Sequence, residues 1–494
     1  MLFEIVMALK IDNQLRPQRL LPQIHRLFEK SGEKILGIEK SWNPRNGTPV
    51  FTLKGRYTSL GWTEWTQGFQ FGSSVLQFEA SGEKKFLDIA RTKTVQLMAP
   101  HVSHTGVHDH GFNNVSTYGN LLRMMGEGRV PFNLCELQFH ELALKVSGAV
   151  QAARWTPIAG GGGYIYSFNG PHSLFVDTMR SLRSLAVAHR LGHVLMGERD
   201  RRISLLSRLI QHSEATAQYA VFYGEGRDAY DLPGRTAHES LFNLNDGSYR
   251  CPNTQQGYSP FSTWTRGLAW AILGFAEQLE FLDTVSDEEM DELCAREFEH
   301  GVRRESFRKS RRAYNPFAGA ASIRALMLRA ARATADFYIE HSCTDGIPMW
   351  DTGAPNLGCL GDYLKRSSDP FNPWEPVDSS AAVIAAQGLI RLGNYLASRR
   401  DTRSGDRYRQ AGLTVARTVF EEPYLSSNPK HQGLILHSIY HRPNGWDGIA
   451  PGQKVPNGES SMWGDYHARE LALLILRESK GDRYLTFFSG IGNS

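Results

Sequence analysis

Tyr164 to Gly192 reads YIYSFNGPHSLFVDTMRSLRSLAVAHRLG. A polar loop, glycine-rich from Gly160 to Gly163, runs here into a helical pattern. Leu174, Val176, Leu182, Leu185, Ala186 and Leu191 supply apolar positions at mixed helical spacings. One acid, Asp177, sits at the mouth of the helix, and Arg180 and Arg183 follow it. A lone acid at such a place is ordinarily just a residue favoured by the helix dipole. A carboxylate among cations where a loop becomes a helix is also what a pocket at a helix mouth would use. The same junction recurs along the chain, and that recurrence decides the fold.

Six apolar helices begin after polar or aromatic loops. Gly68 opens GFQFGSSVLQFEASG, Gly111 opens GFNNVSTYGNLLRMMG, and Asp177 opens the third. Arg266 opens RGLAWAILGFAEQLEFL, Ser379 opens SSAAVIAAQGLIRLG, and Gly464 opens GDYHARELALLILRESKG. More amphipathic partners follow at Glu83–Met98, Phe132–Ala153, Arg199–Ala220, within Ala318–His341, and at Asp406–Phe420. The sixth apolar helix runs nearly to the end of the sequence, so its partner is expected to be the N-terminal helix, Arg16–Gly37. Helices that are apolar nearly all round belong inside, and amphipathic ones outside. The expectation is an all-α (α/α)6 barrel of six inner and six outer helices, forming one catalytic domain over residues 1–494. An open solenoid of hairpins is the competing arrangement. The loops are too unequal for it, and no fixed period appears.

The totals fit a soluble globular chain. Its 494 residues are 41% hydrophobic and 21% charged, and the net charge is only +4. That balance points to neither nucleic acid nor a membrane surface. Asp287–Arg312 reads as a charged surface insertion. The five cysteines, Cys135, Cys251, Cys294, Cys343 and Cys359, are widely spaced without a CxxC, which argues against a disulfide framework or a structural zinc site. The opening MLFEIVMALKIDNQL lacks a basic start and is interrupted by Glu4, so it does not read as a signal peptide. No apolar run is long enough to span a bilayer. The expected compartment is the cytoplasm.

In a barrel of this kind the loops before all inner helices open at one end. Trp62, Trp65, His108, Asp109, His110, Asn169, His172, Asp177, His238, Gln255, Gln256, Trp264, Arg266, Trp350, Asp351, Trp374, Asp378, Glu459, Trp463 and Asp465 all fall there. Acids, amides and aromatic faces converging on one pocket suit a sugar. Several of these stretches resemble motifs of the unsaturated glucuronyl hydrolases, glycoside hydrolase family 88. They are WTQGF at Trp65, HDHGF at His108, VDTM around Asp177, His238 with the stretch NTQQGYSPFSTWTRGLAW ending at Trp270, PMWD at Pro348, VDSSAA at Val377 and SSMWGDYHARE at Ser460. They come in the family's order. The family fold is the (α/α)6 barrel. The chain departs from the family pattern at Arg180 and Arg183, and at Leu268, where the family carries glutamine. Those departures leave room for a divergent branch acting on ordinary glucuronides.

The resemblance implies removal of a terminal 4,5-unsaturated glucuronic acid from lyase-derived oligosaccharides. It assigns the general acid/base to Asp177. Asp109 would then position that acid, raise its pKa by like charge, or stabilise the cation. Arg266 is expected to hold the substrate carboxylate as a bidentate fork, or else to tie loops together. His238 and Gln256 would bind hydroxyls or the carboxylate. Trp65 and Trp270 would stack on the sugar, although Trp270 could equally be inner-ring core. No cofactor motif is present, since Gly160–Gly163 lacks the lysine and hydroxyl of a phosphate loop. His108, Asp109 and His110 lack metal-ligand spacing, so no metal is expected. The partner is an oligosaccharide with a terminal uronic acid. Two other functions compete: an exo-β-glucuronidase using Asp109 and Asp177 on saturated ends, and a non-catalytic sugar-binding protein on the same fold.

Overall fold

The computed structural model describes residues 8–60, 64–301 and 319–492. Trp62, the first seven residues and the later part of the charged stretch, 302–312, lie outside the described residues. In chain order the helices are α1 (Leu21–Ser41), α2 (Gln67–Ser81), α3 (Lys84–Leu97), α4 (Ala99–Val102), α5 (Asn120–Gly126), α6 (Leu134–Ala153), α7 (Thr178–Ser181), α8 (Arg183–Arg190), α9 (Leu205–Tyr219), α10 (Thr265–Leu282), α11 (Asp287–Gly301), α12 (Ala320–His341), α13 (Ser379–Ser398), α14 (Thr402–Val419) and α15 (Met462–Lys480). A π-helical stretch, Gly111–Gly119, runs straight into α5.

The inner ring is α2, the π-helix with α5, α7 with α8, α10, α13 and α15. The outer ring is α3, α6, α9, α12, α14 and α1. Burial follows the sequence pattern. α13 is buried without a break from Ser379 to Gly393, whereas α14 buries one side, through Tyr408, Leu413, Val415, Ala416 and Val419 among others. α1 turns Ile24, Leu27, Phe28, Ile35 and Ile38 inward and packs on α15 and α2. Arg469 of α15 donates to Ser31 Oγ of α1 at 2.7 Å and to Ser73 Oγ of α2 at 3.1 Å. α1 and α15 thus close the ring, and α1 is the outer partner expected for the sixth inner helix. Small residues set how near the inner helices come. A Cβ on Gly388 would lie 2.7 Å from the Leu273 backbone nitrogen, so α13 and α10 meet where one has no side chain.

Two details differ from the sequence reading. The expected single helix from Asp177 divides at Leu182 (φ −58°, ψ −15°) into α7 and α8. Ser181, just before the break, is held from outside its helix. Its hydroxyl donates to the His108 carbonyl at 2.6 Å, and it accepts from Gly111 N–H at 2.9 Å and Gln151 Nε2 at 3.1 Å. These tertiary bonds override a uniform helical turn. The loops also carry short strands, the largest group being an antiparallel set of Ser173–Phe175, Glu239–Phe242 and Tyr249–Asn253.

Candidate active site

The loops at the open end surround a cavity with about 920 Å³ of empty space that continues into solvent. Trp65, His108, Asp109, Phe112, Asn169, Asp177, Gln255, Gln256, Trp264, Arg266, Trp270, Tyr440, His441, Asn444 and Trp446 line it. Six of the seven residues the sequence singles out are brought together here: Asp177, Asp109, Trp65, Gln256, Trp270 and, at the wall, Arg266.

Asp109 and Asp177 come from adjacent junctions that Gly111 and Ser181 press together. A Cβ on Gly111 would lie 2.2 Å from the Ser181 carbonyl oxygen, so only glycine permits this approach. The Asp109 carbonyl accepts from Phe112 and Asn113 N–H at 2.9 and 3.1 Å, which starts the π-helix and leaves the side chain in the cavity. Asp177 occupies the N-cap position of α7, yet its carboxylate makes no capping bond. Instead its Oδ1 lies 3.0 Å from His108 Nε2, and the same nitrogen is 3.9 Å from Asp109 Oδ1. One buried imidazole therefore stands between the two carboxylates.

This imidazole corrects one expectation. Of the three roles expected for Asp109, raising the pKa of Asp177 by like charge does not hold, and the like-charge rise falls on Asp109 itself. Burial pushes Asp109 up, Asp177 adds to the rise, and His108 offsets only part, leaving Asp109 above the ordinary carboxyl value. Burial raises Asp177 too, but the charge and hydrogen bond of His108 outweigh it, so Asp177 sits below its ordinary value. Burial lowers His108, and Asp109 and Asp177 more than reverse that, holding it above the usual imidazole value. His108 bonds Asp177 and only neighbours Asp109, and His238 and Arg266 lower Asp177 further.

Arg266 is buried and fully occupied at its terminal nitrogens. Nη1 donates to Asp378 Oδ2 at 3.3 Å and to the Ile439 carbonyl. Nη2 donates to Gln256 Oε1 at 2.7 Å and the Tyr440 carbonyl at 2.8 Å. The guanidinium also lies over Trp264 and Trp463, at 4.5 and 4.7 Å from the ring centres. Of the two roles expected for it, the geometry is that of a brace joining three loops. Gln256 gives its carbonyl to this brace, which turns its NH2 away from Arg266. His238 stands behind the wall. Its ring packs on Phe175 and Trp264 at 4.4 and 4.5 Å, and Nδ1 accepts from the Gln255 and Gln256 N–H groups at 3.0 and 3.3 Å. Burial pushes it down to about 4, so it stays neutral and holds backbone.

The aromatic faces are real. Trp65 stacks on Trp463 at 5.1 Å and 26°, and Trp270 packs against Phe112 at 4.9 Å, keeping an edge on the cavity while 2% exposed. Arg180 and Arg183 do not reach the cavity. Arg180 pairs with Glu277 and, at 2.5 Å, Glu470; Arg183 donates to the Gly111 carbonyl at 3.1 Å and lies 3.7 Å from Glu470. They are buried ion pairs between inner helices. His110 bonds Ser147 Oγ and the His104 carbonyl, each at 2.9 Å. Among the described residues no group of three or more His, Cys, Asp or Glu could hold a metal. The sequence reading missed Tyr440, His441, Asn444 and Trp446, which come from one turn-rich stretch, YHRPNGW, just before the sixth inner helix. Its aromatic, amide and imidazole content was the available signal.

No family model matches the chain. It is 22% identical over 412 residues to an unsaturated glucuronyl hydrolase of Formosa agariphila, covering 82% of this chain and 78% of that protein. It is 20% identical over 488 residues to an unsaturated chondroitin disaccharide hydrolase of Streptococcus agalactiae, covering 96% of this chain and 98% of the other. Among solved structures it superposes on the unsaturated glucuronyl hydrolase of Bacillus sp. GL1 with a TM-score of 0.63 at 19% identity, over 91% of this chain and 95% of that one. The chain is a distant relative of the unsaturated glucuronyl hydrolases and shares their (α/α)6-barrel fold.

Proposed function

We propose that the chain is a glycoside hydrolase that removes a terminal 4,5-unsaturated glucuronic acid from lyase-derived oligosaccharides. The observation that carries this reading is the pair Asp109 and Asp177, both facing the cavity, with His108 Nε2 between them. The substrate is a vinyl ether. A general acid gives a proton to C4, and positive charge develops at C5, shared with the ring oxygen. Water adds at C5 and loses its proton to the carboxylate just formed. The hemiketal then opens and releases the rest of the chain. One carboxyl must give a proton and take one back, and Asp177 has that task.

His108 is held above its usual value and Asp177 below its own, so of the two hydrogen-bonded groups His108 is the favoured holder of the proton. An arriving uronate adds a second negative charge and removes water, and both effects favour a protonated Asp177. The 3.0 Å contact with His108 Nε2 is the path for that transfer. Asp109, across the same imidazole, stabilises the developing cation. Trp65 offers a face for the sugar ring, Trp270 adds an apolar edge beside it, and the Gln256 NH2 is a donor for the carboxylate. Arg266 contributes positive field and the placement of Gln256. The names of the relatives support the substrate class.

The chain works as one catalytic domain in this reading, supported by the return of α1 to α15 and α2. No described helix is long and apolar enough to cross a membrane, and all five cysteines are free thiols, which suits the cytoplasm. The test is a panel of unsaturated and saturated glucuronides. The ultraviolet absorbance of the unsaturated sugar disappears when the ring opens, so wild-type protein should bleach unsaturated disaccharides. Release of glucuronic acid from saturated ends, without bleaching, would replace this reading by a glucuronidase.

A further inference from the structure

Glu239 is buried at 0% exposure on the middle strand of the three-stranded sheet, opposite Phe175 on one side and Asn253 on the other. No Lys or Arg pairs with it among the described residues. Its carboxylate takes four neutral donors instead. Oε1 accepts from Asn169 Nδ2 at 2.9 Å and Ser173 Oγ at 2.5 Å. Oε2 accepts from Asn253 Nδ2 at 2.6 Å and Gln255 Nε2 at 3.1 Å. Two of these four donors, Asn169 and Gln255, line the cavity.

An amide side chain can usually turn over, exchanging its oxygen and nitrogen. Here it cannot. Turned over, each would set an amide oxygen against a carboxylate oxygen at 2.9 or 3.1 Å, two acceptors with no proton between them. With one N–H of each NH2 committed to Glu239, the orientation of each amide is fixed, and its carbonyl oxygen is the acceptor it offers the pocket. No described protein donor engages either oxygen. The backbones are fixed as well, since Asn169 N–H donates to Ser167 Oγ and Gln255 N–H to His238 Nδ1.

We infer that Glu239 is a positioning residue that makes Asn169 and Gln255 a pair of hydrogen-bond acceptors for hydroxyl groups of the sugar. This rests on the hydrolase reading above and deepens it. A 4,5-unsaturated uronate has lost its hydroxyl at C4, so the hydroxyls at C2 and C3 are the donors its ring still offers. Gln256, turned the opposite way by Arg266, supplies a donor for the anionic end of the same ring. Two fixed groups, one acid and one guanidinium, thus set the polarity of three amides, and the wall reads the ring by its donors and its charge.

The test uses calorimetry with the Asp177→Asn protein, which is expected to bind without turnover. The ligands are an unsaturated uronyl disaccharide and its counterparts deoxygenated at C2 or at C3 of the uronate. Loss of one hydroxyl should weaken binding about three- to tenfold, the worth of one neutral hydrogen bond. Adding Glu239→Gln keeps the side-chain volume but replaces one accepting oxygen by a donor, so at least one amide turns over and at least one deoxy penalty disappears. Asn169→Ala and Gln255→Ala should each abolish one penalty, and they decide the matter if Glu239→Gln does not fold. A merely structural Glu239 would lower the melting temperature and leave both penalties intact, which would overturn the inference. So would an absence of any deoxy penalty, or of binding altogether. Bleaching by wild-type protein is read separately. Hydroxyl-dependent binding without bleaching would refute the hydrolase reading and leave the role of Glu239 standing.

Discussion

Two groups of acids sit at the same end of this barrel, and they do opposite things. Asp378 and Asp465, at the mouths of α13 and α15, give their oxygens to the fold. Asp378 Oδ1 caps α13 through Ser380 N–H at 3.0 Å, and its Oδ2 holds Arg266. Asp465 accepts from Leu434 and Ile435 N–H at 2.9 Å, and from Ser460 Oγ and Tyr57 Oη at 2.8 Å. Asp351 likewise takes the Tyr258 and Gly353 N–H groups, both at 2.8 Å. Asp109 and Asp177 look the same in sequence, yet no backbone N–H takes their side-chain oxygens among the described residues. They face a cavity and share an imidazole. An acid at a helix mouth is therefore not a functional signal by itself. What separates the two groups is whether the backbone has already used the carboxylate.

The largest effect should come from Asp177→Asn. Because this carboxylate supports no backbone, the variant should melt within a few degrees of wild type while kcat falls by about 10²–10⁴, the worth of a positioned acid–base group. Initial rates and a thermal melt decide it, and a destabilised but active protein would move Asp177 into the other group. Asp465→Ala should behave in the reverse manner. It strands four buried donors and should cost on the order of 3 kcal/mol or more in a denaturant titration. Arg266→Lys lies between the two groups. A lysine keeps the charge but cannot reach four acceptors at once, so melting temperature and kcat/KM should fall together, the latter by about tenfold. A fall in turnover with an unchanged melt would restore Arg266 as a pure substrate clamp. The smallest effect is a shift in pH. His108 keeps its proton above the usual imidazole value because Asp109 and Asp177 favour its cation. The basic limb of kcat/KM should therefore lie above pH ~6.5 in wild type. In His108→Gln only carboxyl groups remain to hold the proton, and the limb should move to lower pH. An unmoved limb would remove His108 from the proton inventory.

Much of the architecture was legible because inner helices must be apolar on nearly every side. Ser379 to Gly393 carries almost no polar face, and the sixth such helix had no partner left except the N-terminal one. Asp109, Asp177 and the aromatic faces were legible from their junctions and from the family motifs. Which of its two expected roles Arg266 takes was not, nor was the place of His238 behind the wall. Ile439 and Tyr440, which take the Arg266 fork, lie 173 and 174 residues away in the chain. No local pattern reveals that a guanidinium is already saturated. The proton preference of the two acids was also hidden, because it turns on which carboxylate lies 3.0 Å and which 3.9 Å from one nitrogen, with His238 and Arg266 adding to it. Glu239 escaped notice for the same reason, since its four donors come from two distant stretches, Asn169 with Ser173 and Asn253 with Gln255. Arg180 and Arg183 were read beside Asp177 as neighbours in sequence, but helical geometry turns them down to Glu277 and Glu470 inside the ring.

The central claim is that the pair left unused by the backbone protonates carbon rather than the glycosidic oxygen. Turnover of an unsaturated disaccharide in heavy water tests it most directly. The account predicts one deuterium at C4 of the released uronic acid, on a single face, in nuclear magnetic resonance spectra taken at early times. Released uronic acid with no deuterium at C4, or with deuterium on both faces, would contradict it, because ordinary cleavage of the glycosidic bond leaves protonation of C4 to later tautomerisation in solvent, which selects no face.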